Sequence, residues 1–159
     1  MLMHLIVAGL SAGVLGTIVM DLGNHLLARS GAVLKIDVVT IGRMAAGWAR
    51  GRFIYNDPGE MEPVANEKLL GYAAHYAIGL GLAFLYVFGW ALLAEGPASP
   101  GWAVVYGLAT TAASLFLVYP SMGLGMWGRR SPAGIRAVVS PPANHLFFGV
   151  GMAVALMLT

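Results

Sequence analysis

The chain has 159 residues, of which 58% are hydrophobic and 10% are charged, and its formal net charge is +2. A water-soluble domain of this length needs far more polar surface to cover its core, so the composition indicates an integral membrane protein whose main partner is the lipid bilayer. The chain has no cysteine, which excludes disulfides, iron–sulfur clusters and thiolate metal sites.

Four apolar stretches are long enough to cross a membrane, which takes roughly 20 residues to cover about 30 Å of hydrocarbon. They lie at residues 4–27, 69–94, 102–126 and 142–159. The first lacks the basic region that begins a signal peptide and has a longer apolar run, so we expect it to be retained as a helix. The sequence predicts a single membrane domain over residues 1–159, an all-α integral membrane bundle of four transmembrane helices.

The basic residues lie only in the segments that precede spans two and four. These segments hold every lysine and arginine of the chain, namely Arg29, Lys35, Arg43, Arg50, Arg52, Lys68, Arg129, Arg130 and Arg136. Short loops rich in these residues stay in the cytoplasm, so we expect a multi-pass protein with its N-terminus and C-terminus outside. The basic residues thus report topology, and we expect no binding to nucleic acid.

The long cytoplasmic connection, residues 29–68, contains a candidate helix. Within "VVTIGRMAAGWARGRF", apolar residues recur at helical spacing, at Ile41, Met44, Ala45 and Trp48. Arg43 and Arg50 share another face of the same helix. This pattern is typical of a short amphipathic helix at the membrane interface. A basic loop that only fixes topology is the alternative.

A short motif occurs in both even-numbered spans. "HYAIGLG" at residues 75–81 and "HLFFGVG" at residues 145–151 both read His-x-x-x-Gly-x-Gly. Because spans one and three run in the same direction, as do spans two and four, the motif predicts a parallel repeat of a two-helix unit. Chance similarity between apolar sequences is the alternative. If the repeat is real, His75 and His145 face each other near the inner leaflet, and loss of one should resemble loss of the other.

Glycines flank these histidines at helical spacing. Small residues near a polar one let helices approach closely while polar groups hydrogen-bond across the gap. We expect these helix-packing positions to be Gly71, Gly79, Gly81, Gly149 and Gly151. In this interpretation the histidines only pack helices, and the protein is a structural or accessory subunit. The glycine-rich faces also suit a homodimer or a membrane partner subunit.

Polar side chains from all four predicted helices should meet near the cytoplasmic leaflet. An ionisable group inside a span costs about 2.5 to 3.5 kcal/mol, so it normally faces the bundle and pairs. The candidates for a ligand site or proton relay are Asp21, His25, Glu67, His75, Tyr119 and His145. Asp21 and His25 are four residues apart and therefore share one helical face.

Prolines mark the inner ends of spans three and four. Pro120 breaks span three at the depth of the polar cluster, as substrate sites in transporters often require. In "SPP", Ser140 can cap a helix and Pro141 can open it, so we expect span four to begin there. With Asp21 and His25 as a relay, these features also suit a proton-coupled transporter, and four helices would then have to act as a dimer.

The predicted cluster fits two kinds of cofactor, although the sequence leaves the cofactor unknown. A metal ion can be held by Asp21, His75 and His145, since two imidazoles and a carboxylate suit iron, zinc or manganese. Non-covalent haem between the two imidazoles is the weaker alternative. Hydrolase and phosphate-binding motifs do not occur, so an enzyme is the less favoured class and we assign no catalytic residue.

With these residues identified, the chain resembles an uncharacterised bacterial integral-membrane family, domain of unknown function 2938. The likeness covers nearly the whole chain and rests on "TIVMDL", "IGRMAAG", "GRF", "NEKLLGYAAHYAIG", "YPSMGLG" and "NHLFFGVG". Tyr119 stands where the family pattern leads us to expect Gln. The resemblance implies a small protein of the bacterial inner membrane with no assigned activity. We therefore expect a protein that binds a small ligand or ion at the polar cluster.

Overall fold

A computed structural model describes residues 1–94 and 96–159, and its regular secondary structure is helical throughout these residues. We number the main helices α1 (Leu2–Arg29), α2 (Val38–Ala49), α3 (Glu67–Leu93), α4 (Pro100–Ser121) and α5 (Ile135–Leu158). All of them except α2 are long and apolar enough to cross a membrane. This confirms the prediction of an all-α bundle of four membrane-spanning helices.

The spanning helices pack side by side in the order α3, α1, α5 and α4. α1 packs against α3 on one side and α5 on the other, while α4 packs against α5 and α2 packs against α3. The hydroxyl of Tyr106 in α4 donates a hydrogen bond to the Leu82 carbonyl of α3 at 2.9 Å. The rings of Tyr86 and Tyr106 also lie 5.0 Å apart. These tyrosine contacts join α3 to α4 and close the bundle into a ring.

Facing glycines allow α5 to lie close to both of its neighbours. A Cβ atom on Gly151 would lie 2.7 Å from the Cα of Gly16 in α1. A Cβ atom on Gly107 of α4 would lie 2.4 Å from the Cα of Gly149. Real Cβ atoms do not approach so closely, so each pair fixes a point where two helix backbones touch. Gly149 and Gly151 therefore lie where α5 is in close contact with α4 and α1.

The glycines of α3 divide into contact and non-contact positions. A Cβ atom on Gly71 would lie 1.7 Å from the Val38 carbonyl oxygen of α2, and one on Gly79 would lie 2.2 Å from Oγ1 of Thr17 in α1. A Cβ atom on Gly81 would meet nothing within 4 Å. Gly81 thus differs from the prediction, because its side of α3 faces away from the rest of the chain.

The structure corrects the predicted inner ends of α4 and α5. α4 ends at Ser121, because Gly123 and Gly125 turn the chain with φ of 79° and 70°. α5 begins at Ile135, ahead of the expected start near residue 142, so Pro141 lies inside the helix. Ser140 does not cap the helix, because its hydroxyl donates to the carbonyl of Arg136, one turn earlier.

A helix occurs in the long connection, where α2 covers Val38–Ala49. Asp37 caps it by accepting hydrogen bonds from two backbone amides of its first turn, at 3.1 and 3.2 Å. The apolar side of α2 is turned toward the protein, where Ile41 and Met44 are buried. α2 thus covers one end of the bundle.

The ends of the helices bring the basic residues together. Because successive spans alternate in direction, the end of α1 and the starts of α3 and α5 lie at the same end of the bundle. We call this the basic end and define it as residues 29–68 and 122–136. It contains every lysine and arginine of the chain.

The two classes of glycine in α3 make a direct test of the packing. We expect Gly71→Ala to destabilise the protein by about 1–3 kcal/mol, because the added methyl group overlaps the Val38 carbonyl and must separate α2 from α3. Gly81→Ala is the matched control and should be neutral or stabilising, since alanine favours helix and the site is open. Thermal unfolding in mild detergent measures both, and equal effects would contradict the packing of α2 on α3.

Candidate functional site

A cavity of about 380 Å³ lies within the bundle at the basic end. α2 and the linker before it line the cavity together with all four spanning helices. Its walls are mainly apolar and include Met20, Ile41, Ile78, Val118, Met122 and Phe148. Polar side chains also reach it, namely Lys35, Asp37, Thr40, His75, Ser114, Tyr119, Ser140, Asn144 and His145. The volume falls within the range of about 300–1,000 Å³ that small-molecule sites occupy.

The cavity brings together half of the predicted cluster. Its lining includes His75, Tyr119 and His145 but not Asp21, His25 or Glu67. Asp21 does not line the cavity itself, but its carboxylate contacts His75, which does. His25 is exposed on α1 and has no hydrogen-bond partner among the residues that the structure describes. The structure therefore does not join Asp21 to His25 as the predicted relay requires. Asp21 contacts His75 of α3 instead.

His75 connects the cavity to the Asp21 carboxylate. Its Nε2 lies 2.9 Å from Oδ1 of Asp21, and the Tyr76 hydroxyl donates to Oδ2 of the same carboxylate at 3.3 Å. The His75 side chain is 10% exposed, whereas that of Asp21 is 31% exposed. An ionised Asp21 requires the proton of a neutral His75 to be on Nε2. The other ring nitrogen, Nδ1, is then a hydrogen-bond acceptor.

His145 is held between two hydroxyl groups of α4. Its Nδ1 lies 2.7 Å from Oγ1 of Thr110, and its Nε2 lies 2.8 Å from Oγ of Ser114. The Thr110 hydroxyl has one proton and donates it to the Gly107 carbonyl. His145 must therefore donate from Nδ1 to Thr110, and a neutral His145 accepts at Nε2 from Ser114. This arrangement uses both nitrogen atoms of the imidazole.

The two histidines occupy corresponding positions of the motif but are chemically different. His75 pairs with a carboxylate, and His145 pairs with two hydroxyls. The expectation that loss of one resembles loss of the other has no basis in these contacts. The internal repeat stays a prediction. Its strongest structural parallel is that Gly79 and Gly149, one turn after each histidine, both contact the preceding span.

The geometry gives no support to the predicted metal site. Asp21 is bonded to His75, and both nitrogen atoms of His145 are occupied by α4 hydroxyls. Across residues 1–94 and 96–159, no three His, Asp or Glu side chains are placed to hold a metal ion. A haem bound through both imidazoles would likewise have to break the bonds from His145 to α4.

Residues 10–159 match the sequence profile of a family described as a protein of unknown function, DUF2938. The chain belongs to this family. The match confirms the resemblance that the ordered motifs indicate. No curated protein and no solved structure matches the chain. Family membership assigns no activity, so the function has to be inferred from the site itself.

Tyr119 donates a hydrogen bond to α5 where a proline interrupts the backbone hydrogen bonding of that helix. Pro141 has no N–H group to donate to the carbonyl one turn earlier, that of Ala137. The Tyr119 hydroxyl donates to this Ala137 carbonyl at 2.8 Å. Tyr119 of α4 thus supplies the hydrogen-bond donor that Pro141 of α5 lacks.

Span α4 is irregular where it lines the cavity. It forms a π-helix over Ser114–Val118, and the Tyr119 amide donates to the Ser114 carbonyl. Pro120 follows within the same helix. Both ends of the π-helical segment contribute to the cavity wall. Such segments are frequent at functional sites, because they displace side chains from the regular helical positions.

Asn24, which the sequence analysis missed, joins three parts of the chain at the edge of the cavity. Its amide nitrogen donates to the Leu34 carbonyl at 2.8 Å and to Oδ1 of Asn144 at 3.0 Å. Its amide oxygen accepts from the Ile36 amide at 3.0 Å. The Leu34 amide in turn donates to Oγ of Ser140 at 2.8 Å. The linker before α2 is thereby fixed to both α1 and α5.

Glu67 binds α2 instead of entering the polar cluster. It forms a two-point ion pair with Arg43, with oxygen–nitrogen distances of 2.7 and 3.1 Å. The hydrogen bond with Glu67 raises the pKa of the Arg43 guanidinium above its usual value. The pair supports the close contact of α2 and α3 at Gly71. Glu67 is therefore a helix-packing residue.

The role of Tyr119 can be tested by removing one oxygen atom. We expect Tyr119→Phe to cost about 1 kcal/mol of stability, because the Ala137 carbonyl loses its donor where water does not replace it. Tyr72→Phe is the control, because Tyr72 is 44% exposed and has no described side-chain hydrogen bond. Equal thermal unfolding midpoints for the two Phe variants would rule out this role.

Proposed function

We propose that the protein binds a small, mainly apolar molecule in the cavity at the basic end. The observation that carries the proposal is the space of about 380 Å³ with apolar walls and a few polar groups. Binding sites for small molecules have this composition, because apolar contact supplies affinity and a few polar groups fix orientation. The absence of a metal-holding group of side chains among the described residues favours a molecule over an ion.

The size of the cavity argues against a purely structural bundle. Protein interiors are normally packed as densely as organic crystals, and an unfilled space costs stability in proportion to its volume. This bundle packs closely elsewhere, with helix backbones in contact at Gly16 and Gly107. A space of about 380 Å³ beside such close crossings suits a bundle that holds a small molecule.

A structural or accessory role is the second candidate function. It is supported by the bonds that join helices through polar side chains, from Asn24 to Asn144, from Tyr119 to α5, and from His145 to α4. These contacts stabilise the bundle whether or not a ligand is present. The two candidate functions predict different effects when a larger side chain fills the cavity. A binding protein would lose its ligand, whereas a structural subunit would change only in stability.

Filling the cavity should abolish binding of an apolar probe. We expect 1-aminoanthracene to show saturable fluorescence enhancement with the wild-type protein in phosphatidylcholine nanodiscs. Ile78→Trp should remove this component, because Ile78 lines the cavity and the larger side chain occupies it. Leu85→Trp is the matched control on the same helix, where Leu85 is 65% exposed. It should bind the probe as the wild type does.

Two outcomes of this titration would reject the ligand-binding function. One is the absence of a saturable component in the wild-type protein. The other is an equal saturable component in all three proteins, which would place the probe outside the cavity. Either outcome leaves the structural or accessory role as the better account, and the background signal from lipid is the same in every nanodisc.

We further propose that the basic end faces the cytoplasm of a bacterial cell. The support is that every lysine and arginine lies at this end, in connections short enough for the positive-inside rule to apply. The site would then take its ligand from the cytoplasm or the inner leaflet. Both chain termini would face outward.

The chain lacks cysteine, so single-cysteine variants report topology without further changes. We expect Thr159→Cys to react with a membrane-impermeant maleimide in intact bacterial cells, because it lies at the end opposite the basic residues. Glu62→Cys, an exposed position of the basic end, should react only after the cells are permeabilised. The reverse pattern would place the basic end outside and refute the proposed orientation.

A further inference from the structure

Building on the proposed ligand-binding function, we infer that the ligand is an apolar monocarboxylate whose anionic head lies between Lys35 and Asn144. The inference comes from the polar atoms of the cavity that the protein leaves without partners. These atoms define the chemistry that a ligand must supply. The apolar walls define the rest of the molecule.

Most polar side chains in the lining already have partners within the protein. Tyr119 and Ser140 donate to backbone carbonyls of α5, and Ser114 bonds to His145. The Thr40 hydroxyl donates to Asp37, whose carboxylate also accepts two backbone amides of α2. A ligand gains little from groups that are already paired. The groups that the described contacts leave open are on Lys35, His75 and Asn144.

The orientation of the Asn144 amide follows from its neighbour Asn24. The Ile36 amide fixes the oxygen of Asn24, so the nitrogen of Asn24 must face Asn144. Asn144 therefore turns its oxygen toward Asn24 and keeps its own NH₂ group for another partner. This NH₂ group makes no hydrogen bond within the described residues. Asn144 thus offers two donors at the cavity edge.

Lys35 places a positive charge at the same edge. It is exposed, lines the cavity, and forms no ion pair among the described residues. The residues on either side of it, Leu34 and Ile36, are both bonded to Asn24, which also holds Asn144. These bonds hold the linker that carries Lys35 beside Asn144, and both residues line the cavity. The ammonium group of Lys35 and the free NH₂ group of Asn144 are donors only, so this part of the cavity suits an anionic oxygen head.

The charge and volume of the site favour a carboxylate over a larger head group. One ammonium and one amide match the single charge and two oxygens of a carboxylate. A phosphate dianion would require further donors, and Asp37 in the lining would oppose it. A cavity of about 380 Å³ holds one short apolar chain or ring system but not the two chains of a phospholipid. His75 contributes an acceptor, which the anionic head avoids.

Displacement of 1-aminoanthracene in phosphatidylcholine nanodiscs tests this inference with decanoate, decanol and decyl phosphate as ligands. At mildly alkaline pH, where decanoate is ionised, we expect decanoate to displace the probe at about tenfold lower concentration than decanol. Lys35→Gln should reduce this preference to near unity, while Lys35→Arg should retain most of it. Lys68→Gln is the charge-matched control, because Lys68 is exposed at the basic end and lies outside the cavity.

Asn144→Asp tests the second half of the head-group site without removing the contact to Asn24. The substituted carboxylate can still accept from Asn24 but repels an anion, so decanoate should lose more affinity than decanol. Equal displacement by decanoate and decanol, or a preference unchanged in Lys35→Gln, would overturn the inference. Stronger displacement by decyl phosphate would replace the carboxylate with a phosphate head. In each case saturable probe binding by the wild type would still support the proposed function, and its absence would reject both.

Discussion

The interior of a bilayer offers no water to backbone amides and carbonyls, so every break in a spanning helix must be satisfied by the protein itself. This constraint explains the arrangement around the cavity. Pro141 frees the Ala137 carbonyl, and Tyr119 of the neighbouring helix provides the missing donor. Ser140 supports the same turn of α5 from within the helix. The irregular parts of α4 and α5 both line the cavity and are joined by this hydrogen bond, so the freed carbonyl is satisfied by protein.

Two kinds of helix contact coexist in the bundle. Glycines let backbones touch at Gly16 with Gly151 and at Gly107 with Gly149, which fixes the spacing of α1, α4 and α5. Toward the basic end, polar side chains such as Asn24 also join the spanning helices. The candidate site lies beside these polar contacts, because Ser140 and Asn144 are part of its lining. Close packing and a cavity are therefore compatible in one small bundle.

Much of the fold follows from the sequence, because the length and hydropathy of a span depend little on its neighbours. The presence of His75, Tyr119 and His145 at one cavity is also predictable, since polar residues in apolar helices turn inward. Their partners were not predictable in the same way. Asp21 contacts His75 of α3 and not His25 of its own helix. This choice of partner depends on how α1 is rotated against α3. The sequence does contain a signal for Asn24, because this polar residue lies one helical turn from Asp21 in an apolar span.

The errors at the helix ends have a related physical cause. Local rules place a helix start at Ser140 and Pro141, and α5 overrides them because a tyrosine from another span compensates for the proline. Such compensation across the fold cannot be read from a window of neighbouring residues.

The contacts between the basic end and α5 also have a consequence for biosynthesis. The linker before α2 is bonded to Ser140, and Asn24 is bonded to Asn144, both in α5, which is synthesised after the other four helices. Helices α1 and α3 can enter the membrane early, but their basic end can reach its final arrangement only after α5 has been synthesised.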